Sequence, residues 1–370
     1  MMYDVAIIGA GIVGAACAAA LAEERLSTIV IDPNGIATGT TATGMGHIVV
    51  MDDSESQFAL TRYSQQLWDE LAQEMPADAE YENRGTIWVA ADEDEMNEVR
   101  RKHAFYGERG VKTEILDEES LRSAEPNLRV GLAGGLLVKS DSVVYQLTAS
   151  RCLMEKAIRK RCITRFGDRV FSISENGVTL HDGTAISAGV VINAAGVNAP
   201  QLSPGIVIDK RKGHLVITDR YPEFAHHQLV ELGYLKSAHG REAGSVAFNL
   251  QPRATGQMLL GSSRQFGARD DAVDREMLRK MTSRAFEYMP KLQELSALRI
   301  WTGSRPSTPD NLPYIGQSPT QKNTYIAAGH EGLGITTALG TAALITSLIV
   351  GRKPAIPIDP YLPSRKITTH

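Results

Sequence analysis

Residues 3–33 constrain this chain more than any other stretch. YDVAIIGAGIVGAACAAALAEERLSTIVIDP reads as a strand, a glycine turn, a helix and a second strand. Val5, Ile7 and Ile8 form the short apolar run of a strand buried on both faces. Gly9, Gly11 and Gly14 then fall in G-x-G-x-x-G spacing. The first glycine permits the turn, the second lets a pyrophosphate approach the backbone, and the third lets the helix pack closely on the strand. The second strand ends at Asp32, about 20 residues beyond the turn, where an acid can bond a ribose hydroxyl. An acid there, in place of an arginine, argues against a 2′-phosphate. The unit predicts dinucleotide binding at a helix N-terminus.

A length of 370 residues predicts two or three domains. A net charge of −4 gives no reason to expect a nucleic acid or an anionic membrane as partner. Cys17, Cys152 and Cys162 have neither metal spacing nor a disulfide framework, so no metal is expected and a reducing compartment is. The opening residues lack the basic region and cleavage site of a signal peptide, and the apolar stretch 335–350 is too short to span a bilayer. A cytoplasmic location is expected.

The loop 33–47, PNGIATGTTATGMGH, leaves the carboxyl end of a strand, where ligands bind in open α/β sheets. Thr40, Thr41 and Thr43 supply hydroxyls, and Gly44 and Gly46 allow close backbone approach. Helical periodicity is read over 54–75, over a charged surface stretch 92–107 whose DEDE and RRK runs read as a solvated face, over 116–121 opening at Asp117, over 145–161 and over 270–292. Strands are read at 85–90, at 169–173 and 177–181 around an Asn-Gly turn, and at 190–193 running into Ala194, Ala195 and Gly196, while 134–138 begins a further apolar segment. Residues 213–264 read mostly as β, with turns at 238–240 and 254–256. Near the end, strand 324–327, the turn GHEGLG and helix 335–350 repeat the first pattern. A helix start behind such a turn stabilises an anion. Two such starts predict one extended ligand: NAD needs only the first, whereas FAD would use both.

On these residues the chain resembles the D-amino-acid oxidase (DAO) superfamily of FAD-dependent amine oxidoreductases. The resemblance rests on GAGIVG with Asp32, on GTTATGMGH, on the triplet 194–196, on WTGSRPSTPDNLPYIG at 301–316 and on AAGHEGLGITTALG at 327–340. Among its branches the chain looks like glycine oxidase, and equally like the FAD-carrying β subunits of heteromeric dehydrogenases acting on D-hydroxyproline, opines or glycine (the last making hydrogen cyanide). The implied fold is α/β plus α+β. A Rossmann-like FAD domain, 1–80, 140–212 and 300–370, is interleaved with a mainly antiparallel substrate domain, 81–139 and 213–299.

The resemblance also implies site residues. Gly9, Gly11, Ile12, Val13 and Gly14 would hold the pyrophosphate, and Asp32 with Pro33 the adenosine ribose. Thr40, Thr41, Gly44, Met45, Gly46 and His47 would run from pyrophosphate to flavin. Val170 would pair with adenine through its backbone, with Ala194, Ala195 and Gly196 alongside, and Gly332, Leu333, Gly334, Ile335 and Thr336 would cradle the flavin carbonyl. Gly303, also counted among the FAD contacts, stands where monomeric sarcosine oxidases carry a cysteine bound to FAD, so FAD is expected to be non-covalent. Those oxidases also have a lysine near Thr336 that this chain lacks, which disfavours sarcosine.

Flavin amine oxidation needs a neutral amine with its α-hydrogen at flavin N5 and a group to hold the carboxylate. Arg305 is the first choice, as a bidentate partner. His47 could face substrate or flavin, and His330, also a catalytic candidate, reads more as a brace for the turn than as a proton carrier. Asn249 and Gln251, with Arg264, lie on β segments expected to wall the substrate side. The expected activity is oxidation of the C–N bond of a small D-amino or cyclic imino acid, D-hydroxyproline favoured, with electrons passed to partner subunits. The alternatives are a self-sufficient oxidase making hydrogen peroxide and a non-catalytic FAD-bearing subunit.

Overall fold

In the computed structural model of the chain the described residues are 2–233, 244–268 and 270–367, so the turn expected at 238–240 lies outside them. The chain divides into two compact units, Met1–Ala79, Tyr145–Lys210 and Arg305–His370 in one, Glu80–Val144 and Arg211–Ser304 in the other.

The first unit is built on a sheet of eight described strands. Its main path runs Tyr314–Gln317, Thr324–Ala328, Ala185–Asn193, Met2–Ile8, Thr28–Asp32 and Ile163–Phe166. From Thr324–Ala328 to Ile163–Phe166 every pairing is parallel. The Asn-Gly hairpin forms as Val170–Ser174 against Gly177–Leu180. The helix Ile12–Glu23 is apolar nearly all round because it is covered nearly all round. It packs against the helices Gln146–Arg159 and Gly334–Ile349, and the latter also meets Glu55–Ala72. Cys17 is buried inside the first of these, and all three cysteines are free.

The second unit carries a mixed, mainly antiparallel sheet in the order Ala297–Ser307, Asp209–Arg220, Gln257–Phe266, Gly244–Pro252, Gln228–Glu231, Thr86–Ala90, Gly134–Val138, Thr113–Asp117. The pairing of Gln228–Glu231 with Thr86–Ala90 is its parallel one among those described. One face carries Ile87, Val89, Leu229, Phe248, Leu250, Met258 and Leu260 into a core with Met281, Ala285 and Tyr288 of the helix Arg275–Tyr288. Tyr288 stacks on Phe248 with ring centroids 5.0 Å apart.

Three expectations are corrected here. The short helix expected to open at Asp117 forms, but Leu116 lies outside it. Thr113–Asp117 is a strand whose Leu116 pairs with Gly135, and Asp117 then caps the helix Glu118–Ala124. Tertiary pairing outweighs local propensity there. The stretch 270–292 becomes helical only at Arg275, since Asp274 accepts hydrogen bonds from Glu276 and Met277 as the cap, and it passes into a 3₁₀ turn at Pro290. The RRK run is not wholly solvated. Lys102 follows Met96 and Val99 at helical spacing, is fully buried, and sets its ammonium 4.8 Å from the Trp88 ring centre and 5.7 Å from that of Tyr106.

Candidate functional site

The carboxyl ends of three neighbouring strands of the first unit, at Ile8, Asp32 and Asn193, surround the first glycine turn. Gly9 has φ +107°, and a Cβ built on it would lie 2.5 Å from the Ala194 carbonyl oxygen. A Cβ on Gly14 would lie 1.9 Å from the Gly9 carbonyl oxygen, so the third glycine lets helix and strand meet at backbone distance. Gly11 differs: its nearest neighbour would be the Thr41 hydroxyl at 3.3 Å. Asp32 braces the turn. One carboxylate oxygen accepts from the Ala10 N–H at 2.8 Å, and the other from Asn34 and Gly35 at 2.8 and 2.9 Å. A carboxylate has about four acceptor positions, so one is left for a hydroxyl. Pro33 follows at the strand end, half-buried.

Asn193 organises the triplet after it. Its amide donates to the Ala199 carbonyl and the Ser203 hydroxyl, both at 2.9 Å, and its oxygen accepts from the Ala195 N–H. Gly196 takes φ +57°, with open space where a Cβ would stand. Val170 belongs to the same apolar cluster as Ile8 and Ile31.

The loop after Asp32 ties the two glycine turns together. Thr40–Thr43 forms one 3₁₀ turn, and the buried Thr41 hydroxyl accepts from the Ile12 N–H at 3.1 Å. The Gly44 carbonyl accepts from Gln146 at 2.8 Å, and a Cβ on Gly44 would touch Ile335. Met45 and Gly46 follow, half-buried and buried in turn. At the far end the Thr336 hydroxyl donates to the His47 carbonyl at 2.8 Å. The His47 Nε2 is buried with no hydrogen-bond partner among the described residues, and burial pushes the imidazole pKa down to about 3.

The second glycine turn runs into the helix Gly334–Ile349 through Leu333, its N-cap. Trp68 donates its indole N–H to the carbonyls of Ile335 and Thr336 at 3.1 and 3.0 Å. His330 pairs with Ser307 in an antiparallel bridge, and the Glu331 N–H donates to the Pro306 carbonyl at 2.7 Å. Arg305 therefore comes alongside the turn: a Cβ on Gly332 would lie 3.7 Å from its Cδ. The His330 ring is buried against the Thr341 hydroxyl at 3.0 Å, and burial lowers its pKa to about 4. That placement supports a brace for the turn over a proton carrier.

In the second unit, strand register sorts the remaining candidates. Phe248 and Leu250 face the core, so Asn249 and Gln251 face the opposite side. Ser263 bonds His214, and Gln265 bonds Asp274 at the start of the core helix, which turns Arg264 to the same side as Asn249 and Gln251. All three are buried, and the Asn249 Oδ1 has no hydrogen-bond partner among the described residues. Gly303 lies half-buried in the strand Ala297–Ser307.

Two supporting residues escaped the sequence reading, Gln146 and Trp68. For Trp68 a signal existed, since a tryptophan on the buried face of a helix needs an acceptor for its N–H. Gln146, at the start of a helix, carried none.

These residues fit FAD. Among the described residues neither glycine-turn helix has a side-chain cap or an acid in its first turn, which leaves both positive ends for anionic groups. The orphaned His47 nitrogen lies on the loop joining them. No group of described residues could hold a metal ion, and no described helix is long and apolar enough to cross a membrane.

Comparison with known proteins agrees. The DAO family, described as FAD dependent oxidoreductase, matches residues 4–348. Glycine oxidase of Geobacillus kaustophilus is 24% identical, covering 99% of this chain and 97% of that protein. Its crystal structure superposes with a TM-score of 0.88 at 23% identity, over 99% of this chain and 100% of that one. The hydrogen cyanide synthase subunit HcnC of Pseudomonas protegens is 27% identical, over 99% of this chain and 97% of its own length. The crystal structure of L-proline dehydrogenase from P. horikoshii shares the fold, with a TM-score of 0.87 at 23% identity, over 98% of this chain and 97% of that one.

Proposed function

Because the chain belongs to the DAO family of FAD dependent oxidoreductases, we propose that it oxidises the C–N bond of a small D-amino or cyclic imino acid. D-Hydroxyproline is the first substrate to test. In this reading the first unit holds FAD non-covalently, in a cytoplasmic protein. The observation that carries it is Arg305, whose side chain runs beside Gly332 in the second glycine turn.

FAD, when bound, would supply the redox chemistry, a place for the hydride of the substrate's α-C–H bond as its C–N bond becomes C=N. The chain's own residues position the reactants. Arg305 offers a planar fork to the substrate carboxylate. Its neighbour Glu331 is bonded to the Gly332 N–H, which ties the acid into the turn. His47 is neutral at pH 7, so its Nε2 offers or accepts a hydrogen bond without bringing a charge. The N-terminal N–H groups of Ile12–Glu23 would hold the pyrophosphate, and those of Gly334–Ile349 the negative edge of the flavin. Asn249, Gln251 and Arg264 present polar groups on one face of their own sheet.

Similarity to an HcnC subunit supports electron transfer to partner subunits, and similarity to glycine oxidases supports direct use of oxygen. Anaerobic bleaching of the flavin by D-hydroxyproline, D-proline, sarcosine, glycine, D-alanine and an opine separates the readings. Fast bleaching by an imino acid with slow reoxidation in air supports the dehydrogenase. Fast reoxidation with peroxide moves the assignment to an oxidase. Arg305→Ala should abolish bleaching, and if it bleaches as fast as wild type the carboxylate reading is wrong. A chain bleached by none of them would be read as a non-catalytic FAD-bearing subunit.

A further inference from the structure

The C-terminal segment reaches back to the loop that follows Arg305. Arg365 is nearly buried and grips Asp310 with two parallel bonds, Nε to Oδ2 at 2.7 Å and Nη2 to Oδ1 at 2.8 Å. The rest of its guanidinium donates to the carbonyls of Leu312 at 2.7 Å, Tyr361 at 3.1 Å, and Pro313 and Leu362 at 3.2 Å. Its plane lies over Tyr314, 4.5 Å from the ring centre. Burial works against the Asp310 charge, but the Arg365 contacts outweigh it and hold that carboxyl below its usual range.

Asp310 in turn closes a tight loop. Its Oδ1 accepts from the Thr308 hydroxyl at 3.1 Å and the Leu312 N–H at 3.2 Å, and the same hydroxyl reaches the Leu312 carbonyl at 2.8 Å. Thr308 packs directly under the second glycine turn: a Cβ on Gly329 would fall 2.5 Å from its methyl group. One residue earlier, Ser307 is bridged to His330, and two residues before that stands Arg305. A continuous set of contacts thus runs from Arg365 through Asp310 and Thr308 to the turn that flanks Arg305.

We propose that Arg365 and Asp310 are positioning residues that fix the approach of Arg305 and its glycine turn to the substrate carboxylate. This rests on the reading of Arg305 as the carboxylate-binding residue. Bidentate recognition tolerates little misplacement, and an error of about 1 Å can cost on the order of a hundredfold.

The test uses FAD-loaded protein and acetate, the simplest carboxylate, titrated by its effect on flavin absorbance. Arg365→Ala should keep its FAD and weaken acetate binding at least tenfold. Guanidinium chloride below denaturing concentrations should restore much of that loss by refilling the deleted fork, and leave wild type unchanged. Arg365→Lys keeps the charge but not the fork and should show an intermediate loss; it also serves if the alanine variant does not fold. Unchanged acetate affinity in both variants overturns the proposal. So does a loss that tracks loss of FAD and is not rescued, because that marks a merely structural role. Arg305→Ala is the control: if acetate fails to bind wild type, or binds Arg305→Ala as well as wild type, the carboxylate reading itself is wrong.

Discussion

Gly14→Ala and Gly11→Ala should separate folding of the first glycine turn from binding of the cofactor. A methyl carbon at Gly14 meets the Gly9 carbonyl oxygen at 1.9 Å, and real contacts of this kind essentially never fall below 3.0 Å. The helix start must therefore retreat by about 1.1 Å, the difference between the two. It cannot do so freely, since Ile12–Glu23 is also packed on Gln146–Arg159 and Gly334–Ile349. Overpacking a filled interior costs about 1–3 kcal/mol, and the obstructing atom here is rigid backbone, which places this variant near 3 kcal/mol. At Gly11 the methyl meets only the rotatable Thr41 hydroxyl at 3.3 Å. Its cost to folding is about 1 kcal/mol, from the poorer helix cap that alanine makes. It stands, however, where the pyrophosphate should approach the backbone. Urea unfolding of each apoprotein and FAD titration by fluorescence quenching measure the two effects. Gly14→Ala should lose most of its stability margin before FAD is added. Gly11→Ala should keep a near-native apoprotein and bind FAD at least tenfold more weakly. An apo Gly14→Ala as stable as wild type would refute the packing argument, and unchanged FAD affinity in Gly11→Ala would refute the placement of the pyrophosphate.

Asn193→Ala leaves the Ala195 N–H, the Ala199 carbonyl and the Ser203 hydroxyl short of a partner in a buried setting. At about 1–3 kcal/mol for each group left unsatisfied, a total near 3 kcal/mol is expected in urea unfolding. Trp68→Phe removes the donor shared by the Ile335 and Thr336 carbonyls, and its cost of about 1–3 kcal/mol should appear in apoprotein unfolding and again as earlier release of FAD on heating. Stability should also fall with acid. The His330 pKa is lowered from 6.5 to about 4, so the unfolded chain takes up this proton first. The stabilisation is complete above about pH 6.5 and is lost as pH drops through about 4, with a slope approaching about 1.4 kcal/mol per pH unit. Urea midpoints measured across that window should show this, and His330→Gln, which can still bond Thr341, should remove the share of His330 and leave that of His47, whose pKa is lowered to about 3.

The first glycine turn was legible because its requirements are local. Gly9, Gly11, Gly14 and Asp32 lie within one βαβ stretch, and Gly9 and Gly14 each answer to a close backbone contact. The second role of Asp32, bracing Ala10, Asn34 and Gly35, was also local, but the ribose reading masked it. Lys102 and Leu116 were misplaced for one reason. Charge and propensity were weighed along the chain, whereas the outcome was set across it, by the rings of Trp88 and Tyr106 and by pairing with Gly134–Val138. Arg264 shows the limit of simple alternation. Its even number would put it on the core side with Met258 and Leu260, but the register between Gly244–Pro252 and Gln257–Phe266 shifts between Val246 and Asn249. An irregularity of that kind moves the side chains beyond it to the opposite face, and nothing in the residue types marks it.

The loop 40–48 explains how two glycine turns so far apart in sequence come to act as one site. At one end Thr41 takes an N–H of the first helix, at the other the His47 carbonyl takes the hydroxyl of Thr336, and Gln146 holds Gly44 between them. Each link is a single hydrogen bond, worth about 0.5–1.5 kcal/mol net, so the loop alone holds the two helix starts only modestly. A ligand with a pyrophosphate for one helix and a negative edge for the other adds its own binding energy to the same arrangement. It stabilises the native state by mass action in proportion to its excess over its dissociation constant. FAD should therefore raise the unfolding midpoint of the first unit by more than any FAD fragment that reaches only one turn. ADP at a saturating concentration should recover only part of that rise, and a full recovery by ADP would mean that the second glycine turn contributes nothing to cofactor binding.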